Sequence, residues 1–105
     1  MSKDPDQIFA VSAEPLEGEW IRVEFSDGAI HEIGVRSLLS RGGVFEQIRK
    51  NRALFEQVRV NPESRAVEWP EEIDVDSEVL YGLQDSAFGT SFKRRIVRRP
   101  SHSAA

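Results

Sequence analysis

The sequence predicts an α+β fold in which a mainly antiparallel sheet of about five strands packs with two short helices. Apolar and polar side chains alternate over residues 19–25, which is typical of a strand with one buried face. Residues 26–28 follow as a hairpin turn, since Gly28 adopts a positive φ at no steric cost. Two segments, 44–51 and the one that begins near Ser77, carry apolar residues at helical spacing. The elements should therefore come in the order strands, helix, hairpin, helix.

The first half of the chain supplies three strands. Residues 8–13 are rich in β-branched and aromatic side chains and should form the first strand. The second strand places Ile21, Val23 and Phe25 on one face. Residues 29–33 should form its hairpin partner, so these strands begin an antiparallel sheet.

Helical segments separate these strands from the second half of the chain. Residues 35–39 suit a single helical turn. The first of the two helices should bury an apolar stripe of Val44, Phe45 and Ile48. Residues 51–53 are expected to form the exit from this helix.

The strand that ends at Trp69 is the clearest feature of the second half. Residues 57–60 should form the strand before it. Pro70 donates no ladder hydrogen bond, so the strand should stop there and pass into an acidic loop. Asp76 is then expected to cap the helix that starts at Ser77, because its carboxylate can accept from free N–H groups.

Nine apolar or aromatic residues from these elements are expected to form most of the core. They are Ile21, Val23, Phe25, Phe45, Ile48, Phe55, Val58, Trp69 and Leu80. A chain of 105 residues is long enough for one modest core and suggests one domain.

The composition is that of a soluble globular protein, with 39% hydrophobic and 30% charged residues. The absence of cysteine excludes disulfides and thiolate chemistry. No apolar run approaches the length of a membrane span, and the N-terminus does not resemble a signal peptide. A cytoplasmic location without membrane contact is therefore expected.

Charge divides the chain into an acidic body and a basic tail. Residues 1–82 contain nine Lys or Arg and 17 Asp or Glu, a net charge of −8, whereas residues 83–105 contain five cations and one Asp, a net charge of +4. We expect the first segment to form the compact domain. The tail is expected to be either an added edge strand or partly disordered, and to bind an acidic surface on a partner or on the body itself.

Several short motifs resemble a known family in their order and spacing. They are Phe25-x-Asp27-Gly28, Leu38-Leu39, Gly43-Val44-Phe45, Phe55-x-x-Val58, Trp69-Pro70 and Asp74-x-Asp76-x-Glu78-x-Leu80-Tyr81. Over residues 8–82 the chain resembles the small bacterial proteins of domain of unknown function 2442, although Ser77 stands where the family often has proline. The resemblance implies a compact α+β domain. It also implies a context like that of toxin–antitoxin or regulatory pairs, since some members are encoded beside another small protein.

No pattern of catalytic or metal-binding residues stands out. His31 has Asp27 and Glu32 nearby, but Glu32 points to the opposite face of the strand, which favours an ordinary strand histidine. The acidic alternation over 74–78 lacks the glycine of a calcium loop and favours a helix cap. We therefore expect no enzyme, no metal and no cofactor.

The candidates for partner binding are one aromatic residue and several cations. Trp20 lies on the strand face opposite the core residues, and large aromatic side chains are enriched at interfaces. Burial of Trp20 under helices that cover this face, or packing at the edge of the sheet, is the alternative. The cations belong to the basic tail and are Lys93, Arg94, Arg95, Arg98 and Arg99.

These features predict a small non-enzymatic protein-interaction module, the antitoxin-like or regulatory member of a two-protein pair. Another small protein is the expected partner. The alternative is a nucleic-acid-binding protein that uses the basic tail, because basic and aromatic residues together can hold a single strand. The sequence leaves homo-oligomerisation open.

Overall fold

The structure, a computed structural model, describes residues 8–82 and 92–100. These residues form seven strands and four short helices, which confirms the predicted α+β class. In chain order the elements are β1 (Ala10–Pro15), β2 (Trp20–Phe25), β3 (Ile30–Gly34), α1 (Arg36–Leu39), α2 (Val44–Lys50), α3 (Arg52–Phe55), β4 (Arg59–Val60), β5 (Val67–Trp69), β6 (Ile73–Val75), α4 (Ser77–Tyr81) and β7 (Lys93–Arg98). The strands divide between two antiparallel sheets, whereas the sequence suggested one sheet of about five strands.

The larger sheet has the strand order β1-β2-β3-β7. The predicted hairpin joins β2 to β3, and Gly28 in its turn has a φ of 90°. The Oδ1 atom of Asp27 accepts a hydrogen bond of 3.0 Å from the backbone N–H of Ala29, which stabilises the turn. Ile21 lies opposite Ile33, so both side chains point to the same, buried face.

The smaller sheet, of order β4-β5-β6, includes a strand that the sequence did not predict. The acidic loop expected after Pro70 contains β6, in which Ile73 and Val75 alternate with an exposed aspartate and are buried. Glu71 and Glu72 make the tight connection to β5 with φ angles of 73° and 62°. Glutamate rarely adopts positive φ, so the sequence carried no turn signal there.

The helical segment between β3 and β4 differs from the prediction at two points. Val44 was expected to be buried but is 44% exposed, because it starts α2 directly after Gly43 and lies away from the core. Ile48 is fully buried, as predicted. The expected exit at 51–53 begins a one-turn helix, α3, where the Asn51 side chain accepts from the N–H of Ala53 at 3.0 Å.

Helix α4 begins as predicted. The carboxylate of Asp76 accepts a hydrogen bond of 2.8 Å from the N–H of Glu78, and Gly82 ends the helix with a φ of 100°. The buried Ser77 hydroxyl accepts from the N–H of Ala10 at 2.9 Å and donates to the carbonyl of Arg65. A polar side chain therefore ties the start of α4 to β1. We also expect Leu83 to continue the apolar stripe that Val79 and Leu80 begin in this helix, but Leu83 lies outside the described residues.

The core lies on one face of the larger sheet and includes side chains of the smaller sheet and of all four helices. Eight of the nine predicted core residues are buried, and the ninth, Phe45, is partly buried against them. The longest described helix has seven residues, and none in the described part of the chain has the length and apolar character needed to cross a membrane.

Candidate functional site

The outer face of the larger sheet carries a row of alternating charges that crosses all four strands. Arg22 lies 3.6 Å from Glu14 on β1 and 3.0 Å from Glu32 on β3, and Glu32 lies 3.0 Å from Arg95 on β7. The hydrogen bond from Arg22 is the main reason that the pKa of Glu32 lies below its usual value. The same bond raises the pKa of Arg22. This face is therefore a network of ion pairs, and one aromatic residue stands beside it.

That residue is Trp20, which is partly exposed. The Cζ atom of Arg95 lies 4.0 Å from the centroid of its indole ring, a cation–π contact. Gly34 lies directly opposite Trp20 on β3, and a Cβ atom at this position would approach the indole Cε2 and Cζ2 atoms to 3.3 Å. The indole ring is therefore held between the backbone of Gly34 and the guanidinium of Arg95.

A groove of about 810 Å³ opens beside this indole. We call it the Trp20 groove, and its lining residues come from the β1–β2 turn, the end of β3, α1, α2 and the start of β7: Gly18, Glu19, Trp20, Gly34, Arg36, Ser37, Ser40, Arg49 and Lys93. Three of these side chains are cationic and one is a carboxylate. The groove is therefore a positively charged concavity on a chain whose net charge is −4.

Glu19 is the carboxylate of the groove, and it lies between two arginines. Its Oε2 atom is 3.2 Å from Nε of Arg49, and its Oε1 atom is 3.8 Å from Nε of Arg36. Arg52 stabilises the turn that carries Glu19, because its guanidinium donates to the carbonyls of Gly18 and Leu16. A backbone hydrogen bond of 2.8 Å from Val35 to the Glu19 carbonyl joins this turn to the end of β3.

The five cations of the basic tail have different surroundings. Lys93 lines the Trp20 groove and Arg95 covers the indole. Arg98 donates to the Gly28 carbonyl at 2.8 Å and lies 3.3 Å from Glu24. Arg99 follows β7 and is exposed.

A β-bulge explains how Arg95 and Arg98 share the outer face although they are three residues apart. His31 lies opposite Ile96, and Ile30, which precedes His31 on β3, lies opposite Arg98. Val97 is therefore the extra residue of the bulge. Without the bulge, strand alternation would point Arg98 to the other face. The bulge and the surrounding cations also protect this edge of the sheet from pairing with other chains.

Arg94 points the other way and does not contribute to the surface on which we expected it. Its Nη1 atom donates to the carbonyls of Leu80 and Tyr81 at 2.7 and 3.2 Å, and it lies 2.8 Å from Nδ1 of His31. Arginine can only donate, so Nδ1 must accept, and the neutral imidazole carries its proton on Nε2. Burial, followed by the charge of Arg94, lowers the pKa of His31. Arg94 is therefore an internal connection between β7, β3 and the end of α4.

Aromatic rings enclose the other side of His31. Its ring centroid lies 5.1 Å from those of both Phe25 and Tyr81, and the Tyr81 hydroxyl donates to Asp27 at 2.5 Å. Burial, with a further contribution from this hydrogen bond, raises the pKa of Tyr81 to about 12. His31 is 5% exposed and is a packed strand histidine. Among residues 8–82 and 92–100, no three potential metal-ligating side chains cluster together.

Among the residues that line the Trp20 groove, the sequence predicted Trp20 and Lys93 as binding candidates. It did not predict Arg36, Arg49 or Glu19. No local pattern marks those three, because each lies in a different element and they meet only after the chain folds. The first 82 residues carry a net charge of −8, so their composition predicts no cationic surface in that segment.

One comparison with known proteins gives a match. The sequence model of a family described as protein of unknown function (DUF2442) matches residues 10–85. This segment includes every described element from β1 to α4, and it ends before β7. The search of curated proteins found no match. The search of solved structures also found none.

Proposed function

The chain belongs to the DUF2442 family of unknown function, and we propose that it is a cytoplasmic, non-enzymatic module that binds another small protein. In its narrower form, the proposal makes the chain the antitoxin-like or regulatory member of a two-protein pair. The observation that carries the proposal is the Trp20 groove, a basic concavity on an acidic protein.

The charge of the groove supports an acidic partner. Arg36, Arg49 and Lys93 outnumber the single carboxylate of Glu19, whereas the chain as a whole is negative. An acidic protein would be repelled by most of this surface and attracted at the groove, which would fix its orientation.

The residue types in the groove support a protein interface. Trp and Arg are over-represented among the residues that contribute most to protein–protein binding. Trp20 is already held in place by Gly34 and Arg95, so binding would cost little side-chain entropy there.

The geometry gives less support to nucleic-acid binding through the basic tail. Arg94 points inward, and Arg95 and Arg98 are paired with Glu32 and Glu24. Single-strand binding also relies on bases that stack on exposed aromatic rings. The contacts of Arg95 and Gly34 occupy indole area that a base would need.

Because some family members are encoded beside another small protein, a binding measurement with the product of the gene next to this one tests the proposal. We expect isothermal titration calorimetry to detect a stoichiometric complex that weakens with salt. Arg49→Glu and Lys93→Glu should each weaken it by at least about tenfold, because each puts a negative charge in the groove. Lys50→Glu is the matched control, since Lys50 neighbours Arg49 on α2 but pairs with Glu46 away from the groove. The affinity of Lys50→Glu for this partner should stay within about twofold of the affinity of the native protein.

Two outcomes would contradict the proposal. One is the absence of any complex with the adjacent gene product. The other is tight binding of single-stranded RNA or DNA that Lys93→Glu abolishes and Lys50→Glu does not, which would favour the nucleic-acid alternative. Thermal melts of all variants identify any loss of affinity that comes from unfolding.

A further inference from the structure

We propose that the Trp20 groove binds the side-chain carboxylates of an acidic peptide segment, and that Glu19 occupies one carboxylate position in the free protein. This inference rests on the proposed function and names the chemistry that the groove would recognise. In this view Glu19 is an internal competitor, which the partner's carboxylate displaces from Arg49 and Arg36.

The position of Glu19 supports its role as a stand-in for a ligand. One oxygen of its carboxylate faces each guanidinium, at 3.2 Å from Arg49 and 3.8 Å from Arg36. Within the described part of the chain, neither arginine is in an ion pair with any other carboxylate. Each of these two distances is measured to the Nε atom of the arginine.

The contacts of Glu19 are weak enough to be exchanged. The distance of 3.8 Å to Arg36 exceeds that of a hydrogen bond, and the Arg36 side chain is 76% exposed. The Arg49 side chain is 42% exposed. Water screens such pairs, so they contribute little to stability. An incoming carboxylate would therefore replace Glu19 at small cost.

The backbone allows this exchange without refolding. The carbonyl of Glu19 accepts from Val35, and Arg52 holds the carbonyl of Gly18. These contacts fix the turn through backbone carbonyls and do not involve the Glu19 carboxylate. The groove would then present three cations, from Arg36, Arg49 and Lys93, to the ligand.

The surroundings favour a short acidic peptide over a nucleic acid. The carboxylates of Glu24 and Glu32 lie on the same sheet face as the groove, so a long phosphate backbone that crossed this face would approach both. A short peptide can place its carboxylates within the groove and avoid them. The Trp20 ring, which Arg95 covers, can still contact an aliphatic side chain at its edge.

Fluorescence anisotropy with a labelled hexaglutamate peptide tests the inference on the whole 105-residue chain. We expect Glu19→Gln to tighten binding about threefold, because the ligand would no longer have to displace a surface ion pair of the usual strength. Arg49→Gln should weaken binding by a similar factor. Glu17→Gln is the matched control, because this exposed residue lies in the same turn and does not line the groove. A hexaglutamine peptide should bind none of the variants measurably.

The double variant Glu19→Gln/Arg49→Gln separates competition from a general change of charge. If Glu19 competes at Arg49, the tightening caused by Glu19→Gln should shrink or disappear in the Arg49→Gln background. Equal tightening in both backgrounds, or equal tightening by Glu17→Gln, would overturn the inference. Preferential binding of a labelled hexauridylate would also overturn it, in favour of a phosphate ligand.

The result can be distinguished from a failure of the proposed function. If the adjacent gene product binds at the groove but Glu19→Gln leaves both its affinity and that of hexaglutamate unchanged, the interaction module stands and this inference falls. If hexaglutamate binds as expected and the adjacent gene product does not bind, the result supports carboxylate binding in the groove and contradicts the two-protein pair.

Discussion

Nη1 of Arg94 lies 2.8 Å from Nδ1 of His31, although 63 positions separate these residues in the chain. The contact joins the last described strand to the centre of the larger sheet. It also requires a neutral imidazole, because a protonated Nδ1 would point a proton at a guanidinium. The link between β7 and the body should therefore respond to pH.

Stability should fall as the pH decreases below about 6.5, the usual pKa of histidine. The pKa of His31 is lowered in the folded state, so the unfolded chain binds this proton first, and protonation favours unfolding. The contribution is complete above pH 6.5 and is lost as the pH falls through the lower, folded-state value. Urea melts between pH 5 and 7.5 measure it. His31→Gln keeps a neutral acceptor, so its free energy of unfolding should depend less steeply on pH than that of the native protein. An equal pH dependence in both proteins would exclude His31 as the source.

Arg94→Gln should destabilise the protein by about 1–3 kcal/mol, because it leaves the carbonyls of Leu80 and Tyr81 without their charged donor. The exposed Arg99 offers a matched control. Arg99→Gln removes the same charge from the same segment and should change the free energy of unfolding by less than about 0.5 kcal/mol. Urea denaturation of both variants gives the comparison. Similar losses would mean that net charge, and not the helix contact, stabilises this region.

Trp69→Ala should cost about 3–5 kcal/mol of unfolding free energy. Trp69 is 3% exposed, and its indole N–H donates to the carbonyl of Phe55 at 3.1 Å. Trp69→Phe keeps most of the ring and loses the hydrogen bond, so it should cost clearly less than the alanine variant. A denaturation midpoint unchanged in Trp69→Ala would remove this residue from the core.

Local patterns predicted the parts of the fold in which neighbouring residues carry the information. The alternation in β2 and the Asp76 cap of α4 are examples, and both are observed. Strand β6 was missed because its turn uses positive φ at Glu71 and Glu72, which glutamate seldom adopts. The inward direction of Arg94 depends on the distant carbonyls that it meets, so no local pattern could reveal it.

The same distinction applies to the candidate site. Trp20 could be selected from its strand face alone, because alternation separates it from the core residues of β2. Arg36 and Arg49 enter the Trp20 groove only because α1 and α2 fold back beside the β1–β2 turn. Helical periodicity identifies such residues as surface cations and does not say which surface they share.

Removal of residues 92–105 should destabilise the protein by more than the ~1–3 kcal/mol expected for Arg94→Gln. The truncation removes β7 and with it the ladder on β3, the Arg94 contacts and the pairs of Arg95 and Arg98 with Glu32 and Glu24. It also exposes His31 to water. Removal of residues 100–105 is the matched control, since it stops after β7 and should leave the free energy of unfolding nearly unchanged.

The salt dependence of these two truncations distinguishes a structural tail from a ligand-binding one. The pairs of Arg95 and Arg98 are exposed, so salt should weaken them and reduce the difference in stability between the truncations. Much of that difference should persist at 1 M salt, because backbone hydrogen bonds and the partly buried Arg94 contacts are less screened. Equal stability of both truncations, together with loss of a strongly salt-dependent affinity for RNA or DNA in the longer one, would contradict this account. The tail would then act mainly through nucleic acid, and the ion pairs with the body would be incidental.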